Sequence, residues 1–260
     1  MKKNTMMRVA SVLLVAVLLS TCAISGTFAK YVTSVDGSDN ARVAKWGIGS
    51  NIAGANTFST TYNNGMIASS NQEDVVAPGA SSTAGIYKLS GTPETAYQVT
   101  FDFTKNNDIF LNAGTYTCLD GADNYEVEAL YNPIQWTVTL TTTNGSVTGA
   151  LANAGNGMVF DDLDAVATAI DGTKIDFEAN EQCDVTITIA WDWAFEAAQN
   201  ANDAADTVLG NLAAGSTVKT VDNAGAATDI STEAYSLNVN YKLVLTATQV
   251  NAAPQNPSAN

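Results

Sequence analysis

The feature that most restricts this chain is a period-two alternation of apolar and polar residues that recurs in four segments. The cleanest is Val185, Ile187, Ile189, Trp191 and Trp193, interleaved with Asp184, Thr186, Thr188, Ala190 and Asp192. The others are Val99-Phe101-Phe103, Ile134-Trp136-Val138-Leu140 and Leu237-Val239-Tyr241-Leu243-Leu245-Ala247. Successive side chains of an extended backbone point to opposite faces, so this spacing gathers the apolar residues on one side of a strand. Threonine and β-branched residues dominate the runs, as a pleated, half-buried surface prefers. Shorter candidates lie at Lys30–Val35, Arg42–Ile48, Gly85–Leu89 and Lys174–Phe177. Asn-Gly at 64–65 and 144–145, Asp-Gly at 120–121 and 171–172 and Pro-Gly at 78–79 supply the turns between them. Many strands, this punctuation and no strand–helix alternation predict an all-β chain, a jelly-roll-like antiparallel β-sandwich.

Two stretches depart from the period of two. Asp161–Ile170 places Leu163, Val166, Ala167 and Ile170 on one helical face, with Asp161 and Asp162 at the end where negative charge is favourable. Ala194–Ala214 is rich in Ala, Asn and Asp and carries Val208, Leu209 and Leu212 near its end. The first reads as a short helix and the second as a long helical insertion after a core strand. Neither holds enough apolar surface to stand as a separate domain.

The N-terminus has the order of a secretory signal peptide: Lys2, Lys3 and Arg8, an apolar run from Val12 to Leu19, then small residues to Thr27-Phe28-Ala29. Cleavage is expected between Ala29 and Lys30, with Thr27 and Ala29 as the small residues before the cut. The expected organisation is a signal at 1–29, one sandwich domain over 30–250 and a disordered tail at 251–260, where two prolines and no apolar pattern occur. An uncleaved anchor would need about 20 apolar residues, and Ser20, Thr21, Ser25, Gly26 and Thr27 make the second half of the run too polar to suit one. Cys22 as an acylated residue is disfavoured by the threonine just before it.

Three of the eleven basic residues leave with the signal, which takes the formal charge from −15 to −18. Such a chain repels phosphate backbones and anionic headgroups, so neither nucleic acid nor membrane is expected as a partner after cleavage. Histidine is absent. That removes Ser-His-Asp and Cys-His catalysis and zinc sites that need imidazole. No Gly-rich phosphate loop or dinucleotide fingerprint occurs, and the acidic positions fall mostly in turns. The chain therefore reads as no enzyme, with no cofactor and no catalytic residue.

Four smaller features invite chemistry. Cys118 and Cys183 form an even pair in an oxidising compartment, which permits one disulfide; two free thiols is the equal alternative. Asp120, Asp123 and Glu126 could offer oxygens to Ca²⁺, but the spacing is not that of an EF-hand loop and a polar hairpin loop is preferred. Asp36-Gly-Ser-Asp39-Asn40 is read the same way. Trp191 and Trp193 could stack on sugars, but the alternation turns both toward the face of Val185, Ile187 and Ile189, so core packing is expected.

At the signal junction, Gly26-Thr27-Phe28-Ala29-Lys30-Tyr31 resembles the Gly-Thr-Trp-Ala-aromatic junction of the TasA/camelysin family, secreted Gram-positive proteins cut by a dedicated ER-type signal peptidase. Ala77-Pro78-Gly79 is similar to that family's Lys-Pro-Gly turn, and Tyr241–Gln249 to its closing strand ending in Ala-Thr-Gln. The likeness covers both ends and one internal turn. It implies a jelly-roll subunit of biofilm-matrix fibres, in which the segment freed by cleavage inserts as a strand into the next copy. Tyr31, Val32, Val35, Val43, Trp46 and Ile48 would carry that donor strand, with main-chain hydrogen bonds supplying affinity. The expectation is a secreted structural protein of the extracellular matrix or cell surface that self-associates. A secreted glycan- or protein-binding module is the alternative. The casein-cleaving metallopeptidase activity described for camelysin is disfavoured by the missing histidine.

Overall fold

The computed structural model describes residues 44–53, 57–58, 75–82, 84–118, 123–194 and 202–250. In chain order the strands open with β1 (Gly49–Ala53), β2 (Gly85–Gly91), β3 (Tyr97–Asn107), β4 (Phe110–Leu111), β5 (Gly114–Cys118) and β6 (Asn124–Val127). They continue with β7 (Ile134–Thr141), β8 (Ser146–Thr148), β9 (Met158–Phe160), β10 (Lys174–Phe177) and β11 (Cys183–Trp193). The last are β12 (Val218–Val221), β13 (Ala227–Asp229), β14 (Tyr235–Ser236) and β15 (Asn240–Gln249). Helices α1 (Leu163–Asp171) and α2 (Asp203–Ala213) and the 3-10 helix Ala150–Asn156 lie between them.

The expected all-β, jelly-roll-like sandwich with short helical insertions is the fold. One sheet has the order β1-β2-β11-β7-β9 and the other β15-β3-β10-β8, with every pairing antiparallel. From β7 to β11 the chain steps from one sheet to the other at each strand, so strands adjacent in sequence are rarely adjacent in a sheet. The alternating residues explain why. Trp136, Val138, Val185, Ile187, Ile189 and Trp191 from the first sheet are buried against Tyr97, Val99, Phe101 and Ile175 from the second. Tyr241 of β15 meets Trp136 of β7 edge-on across the layers, with ring centres 5.8 Å apart. Trp191 and Trp193 are both buried, as the alternation requires.

Local chemistry sets the borders. Asn144-Gly145 turns β7 into β8, with Gly145 at φ +82°, where a Cβ would strike Phe177 and Ile175. Asp184 holds that turn by accepting from the Thr143 amide at 2.9 Å and the Thr142 hydroxyl at 3.0 Å. β10 pairs with β3 only as far as Thr100. Beyond that point α1 takes over: Asp171 Oδ1 accepts from the Phe103 amide at 2.6 Å, and Lys105 Nζ donates to Asp164 Oδ2 at 2.5 Å. An exposed strand edge is thereby covered. α1 begins where Asp162 caps the Ala165 amide at 2.7 Å. It buries Leu163, Val166, Ala169 and Ile170, so Ala169 stands where the helical spacing had placed Ala167.

The register dictates a second feature. Trp193 at the end of β11 lies opposite Ile134 at the start of β7, and Asn240 at the start of β15 lies opposite Asn107 at the end of β3. The β3–β7 and β11–β15 connections therefore leave the sandwich at one end. They combine there into a lobe: a four-stranded sheet, β13-β12-β5-β6, with α2 packed on it and β4 paired to β14. Two expectations are corrected here. The insertion after β11 is helical over Asp203–Ala213, with Ala194 outside the helix and residues 195–201 outside the described ones, and its helix packs on strands from elsewhere in the chain. The last strand begins at Asn240, since Leu237–Val239 pair with no neighbour among the described residues.

Candidate functional site

The residues just before β1 form a strap across the end of the sandwich remote from the lobe. The Lys45 amide donates to Glu94 Oε2 at 3.0 Å, and the Glu94 amide donates back to the Lys45 carbonyl at 2.9 Å. Trp46 packs edge-on against Tyr97 with centroids 6.1 Å apart, and Ile48 joins the core margin. The chain crosses so close to β2 that a Cβ on Gly91, at φ +155°, would collide with the Gly47 carbonyl. Tyr97 is itself fixed, stacked on Phe177 at 4.6 Å and donating its hydroxyl to the Glu181 carbonyl at 3.0 Å. Burial pushes its phenol well above the ordinary range. Trp46 and Ile48 thus pack on this chain's own sandwich. An apolar residue on an extended segment wants burial, but its spacing does not say in which copy. Thr27, Ala29, Lys30, Tyr31, Val32, Val35 and Val43 lie outside the described residues.

At the lobe end, the flank between β2 and β15 opens into a cavity of about 380 Å³. Tyr87 and Tyr241 face it from the two sheets, with Phe58, Val76 and Ile109 below and Leu237–Val239 along the rim. The Tyr241 hydroxyl shares a hydrogen bond with Thr57 Oγ1 at 3.1 Å, and burial raises its phenol far above the ordinary range. Three aromatic rings line the cavity among the described residues, and two of them already stack on core rings. Phe58 stacks on Trp191 at 5.3 Å, and Tyr241 stacks on Phe103 at 5.1 Å. The described lining offers no carboxylate, thiol or amine. What it does offer is a lining whose open surface is more polar than apolar, beside the stretch 237–239. That stretch pairs with no strand among the described residues, although the Asn238 amide and carbonyl both bond the Ser236 hydroxyl. It leads into β15, whose pairing among the described residues is with β3 alone. That combination suits main-chain strand pairing rather than acid–base chemistry.

The titratable groups with displaced behaviour are structural. Asp206 of α2 accepts from the Tyr131 hydroxyl at 2.8 Å and from Trp193 Nε1 at 3.1 Å, so one oxygen ties the lobe's helix to both connecting segments. Burial raises its pKa against the lowering effect of those two donors. Asp108, at the end of β3, accepts from the Leu163 amide at 3.0 Å and from the Ile109 amide at 2.9 Å. Burial raises it too, opposed by the Leu163 donor. Sequence reasoning missed both, because nothing in a single aspartate announces which backbone amide it will meet.

The permitted Cys118–Cys183 disulfide is not formed: both are free thiols. Cys183 is buried at the head of β11, its Sγ 3.6 Å from the Leu89 carbonyl, whereas Cys118 sits on β5 opposite Val218 in the lobe. The two sequence halves that carry them fold into different sheets. Of the Ca²⁺ candidates, Asp120 lies outside the described residues, and Asp123 and Glu126 are exposed at and beside β6. Among the described residues no three acidic or thiol groups converge as a metal cluster would, and no helix is long and apolar enough to cross a membrane.

Compared with known proteins, the chain matches no family profile and no curated sequence. The likeness to the TasA/camelysin family therefore rests on the three short motifs that carry it.

Proposed function

We propose that this chain is a secreted structural subunit of an extracellular matrix or surface fibre, assembled head to tail by strand insertion. The observation that carries the reading is the placement of the chain's N-terminal exit relative to its open flank. The chain enters the fold at Ala44–Ile48, beside Tyr97 and Glu94, at the end remote from the lobe. The cavity and the stretch Leu237–Val239, which pairs with no strand among the described residues, lie toward the lobe end. A donor at one end and an acceptor near the other make a heterologous contact, which propagates as a filament when its rotation does not close. The donor would be carried by Tyr31, Val32, Val35 and Val43, with Trp46 and Ile48, which pack on this chain's own sandwich, at its C-terminal end. Residues 30–43 would reach about 45 Å if extended, enough to run beside a strand the length of β15.

The secretory N-terminus, the β-sandwich and the lack of histidine support the same reading. The test is electron microscopy of the mature chain beginning at Lys30, beside the same chain carrying Val32→Asp and Val35→Asp. Fibres in the first and folded monomers in the second are expected. Folded monomers in both would sink the proposal.

A further inference from the structure

The outer face of the β1-β2-β11-β7-β9 sheet differs in charge from the outer face of the opposite sheet. At its centre, Thr186 lies opposite Thr141, Thr188 opposite Thr139, and Ala190 opposite Thr137. These side chains alternate with the buried residues of β7 and β11, so they point away from the core. Ile86 continues the Thr188 row on one side, and Val159, 56% exposed, continues the Thr137 row on the other. Among the described residues the Thr188 and Ala190 rows hold no ionised group, although the chain carries 26 acidic residues and only 11 basic ones. Lys88 stands opposite Thr186 in the neighbouring row, and Asp184 and Asp192 lie toward the two ends of β11. The outer face of the opposite sheet is built of similar threonines but carries Asp102, Lys174, Asp176 and Lys242 among them. Strand propensity explains threonine on both faces and does not explain why the centre of one of them carries no charge.

Among the described residues, none of the five threonine hydroxyls on β7 and β11 meets a hydrogen-bond partner. A hydroxyl both donates and accepts, so this face is complementary to a copy of itself. Few other partners are as well suited. Two copies of a chain this acidic repel wherever their carboxylates meet, and an uncharged face is where they can approach. Depletion of charge at the centre with charge at the rim is also the compositional mark of an interface core. Five strands spaced at about 4.8 Å, over roughly seven residues each, present about 550 Å² per copy, or near 1,100 Å² for a pair. That clears the roughly 1,000 Å² a biological interface needs and falls in the range of weak, reversible pairs.

We propose that this face is a self-association surface on which two copies of the chain pack sheet to sheet about a two-fold axis. It needs no donor strand and goes beyond the head-to-tail contact. The association should strengthen with salt, because screening shortens from about 30 Å at 0.01 M to about 8 Å at 0.15 M and damps the repulsion between two acidic bodies.

The test compares three mature chains by sedimentation velocity at both salt concentrations, with electron micrographs of the same samples. They are the native sequence, T139E/T188E at the centre of the face, and T100E/T246E at the matching centre of the opposite sheet. The two variants add the same charge to solvent-facing, directly paired positions. The native chain and T100E/T246E are expected to dimerise, more tightly at the higher salt, and T139E/T188E to dissociate with affinity lower by about tenfold or more. Equal behaviour of the two variants, or a native chain that is monomeric at both salts, would overturn the inference. Dimers without fibres would overturn the head-to-tail reading and leave this one standing. Fibres whose pairing survives T139E/T188E would do the reverse.

Discussion

The sandwich and the lobe draw on the same residue types but are held together by different means. In the sandwich, Trp136, Trp191, Tyr97, Ile187 and Ile189 are almost wholly buried, and long strands meet over eight to ten registered positions. In the lobe the strands are two to five residues long, and the interior rests on Tyr116, Val127, Val208, Leu209 and Val218. The lobe therefore depends more heavily on single polar contacts, above all Asp206. Elements with little apolar burial occupy the low-stability end of a structure and open first. The difference teaches where this chain is built to persist and where it can change shape.

The largest test of that contrast is Trp136→Ala, which removes a side chain of zero exposure from the sandwich centre. It should cost about 3–5 kcal/mol, seen as a lower urea midpoint for the whole chain. Asp206→Ala should cost about 1–3 kcal/mol by leaving the Tyr131 hydroxyl and Trp193 Nε1 without their acceptor. Hydrogen exchange should then accelerate in α2, β5 and β12 while β7 and β11 stay protected; equal acceleration in both would erase the distinction. Asp162→Ala, which removes the cap of α1, should cost about 1 kcal/mol and leave the lobe untouched.

A pH titration sharpens the comparison further. Asp206 and Asp108 both have folded pKa values raised above 3.8 by burial. The folded state therefore binds more protons than the unfolded chain in the window just above that value, so stability rises as pH falls from neutrality through the window. Asp206→Asn should flatten this dependence in the lobe, and Asp108→Asn should flatten it in the sandwich, when melting is followed by exchange at each. Asp184 runs the other way. Burial opposes its ionisation, but the Thr143 and Thr142 donors outweigh it and hold its pKa below 3.8, so its contribution is lost only as pH falls beneath that value. The smallest effect belongs to Lys219→Ala. Its contact with Asp229 spans 3.9 Å in the open, and the loss should stay under about 1 kcal/mol.

How much of this was legible in the sequence follows the same divide. β3, β7 and β11 were visible because each buries one full face, and burial on one face imposes the period of two. α1 was visible because its helical spacing is equally forced. The lobe was not, because β5, β6, β12 and β13 are short and their order in the chain hides their pairing; Cys118 gives no sign that Val218 will face it. Trp46 and Ile48 show the remaining difficulty. Their need for burial was plain, and only the strap geometry assigns it to their own copy. The Asp206 and Asp108 contacts depend on backbone groups brought together by the fold, which leave no trace in composition.

In the proposed assembly the residues freed at Lys30 join one copy to the next. The direct measurement is the mass and morphology of the purified mature chain, with and without residues 30–43, by sedimentation and electron microscopy. Fibres from the first and soluble, folded species no larger than a dimer from the second are expected. Fibres of equal length from the shortened chain, or none from either while both remain folded, would contradict that assembly.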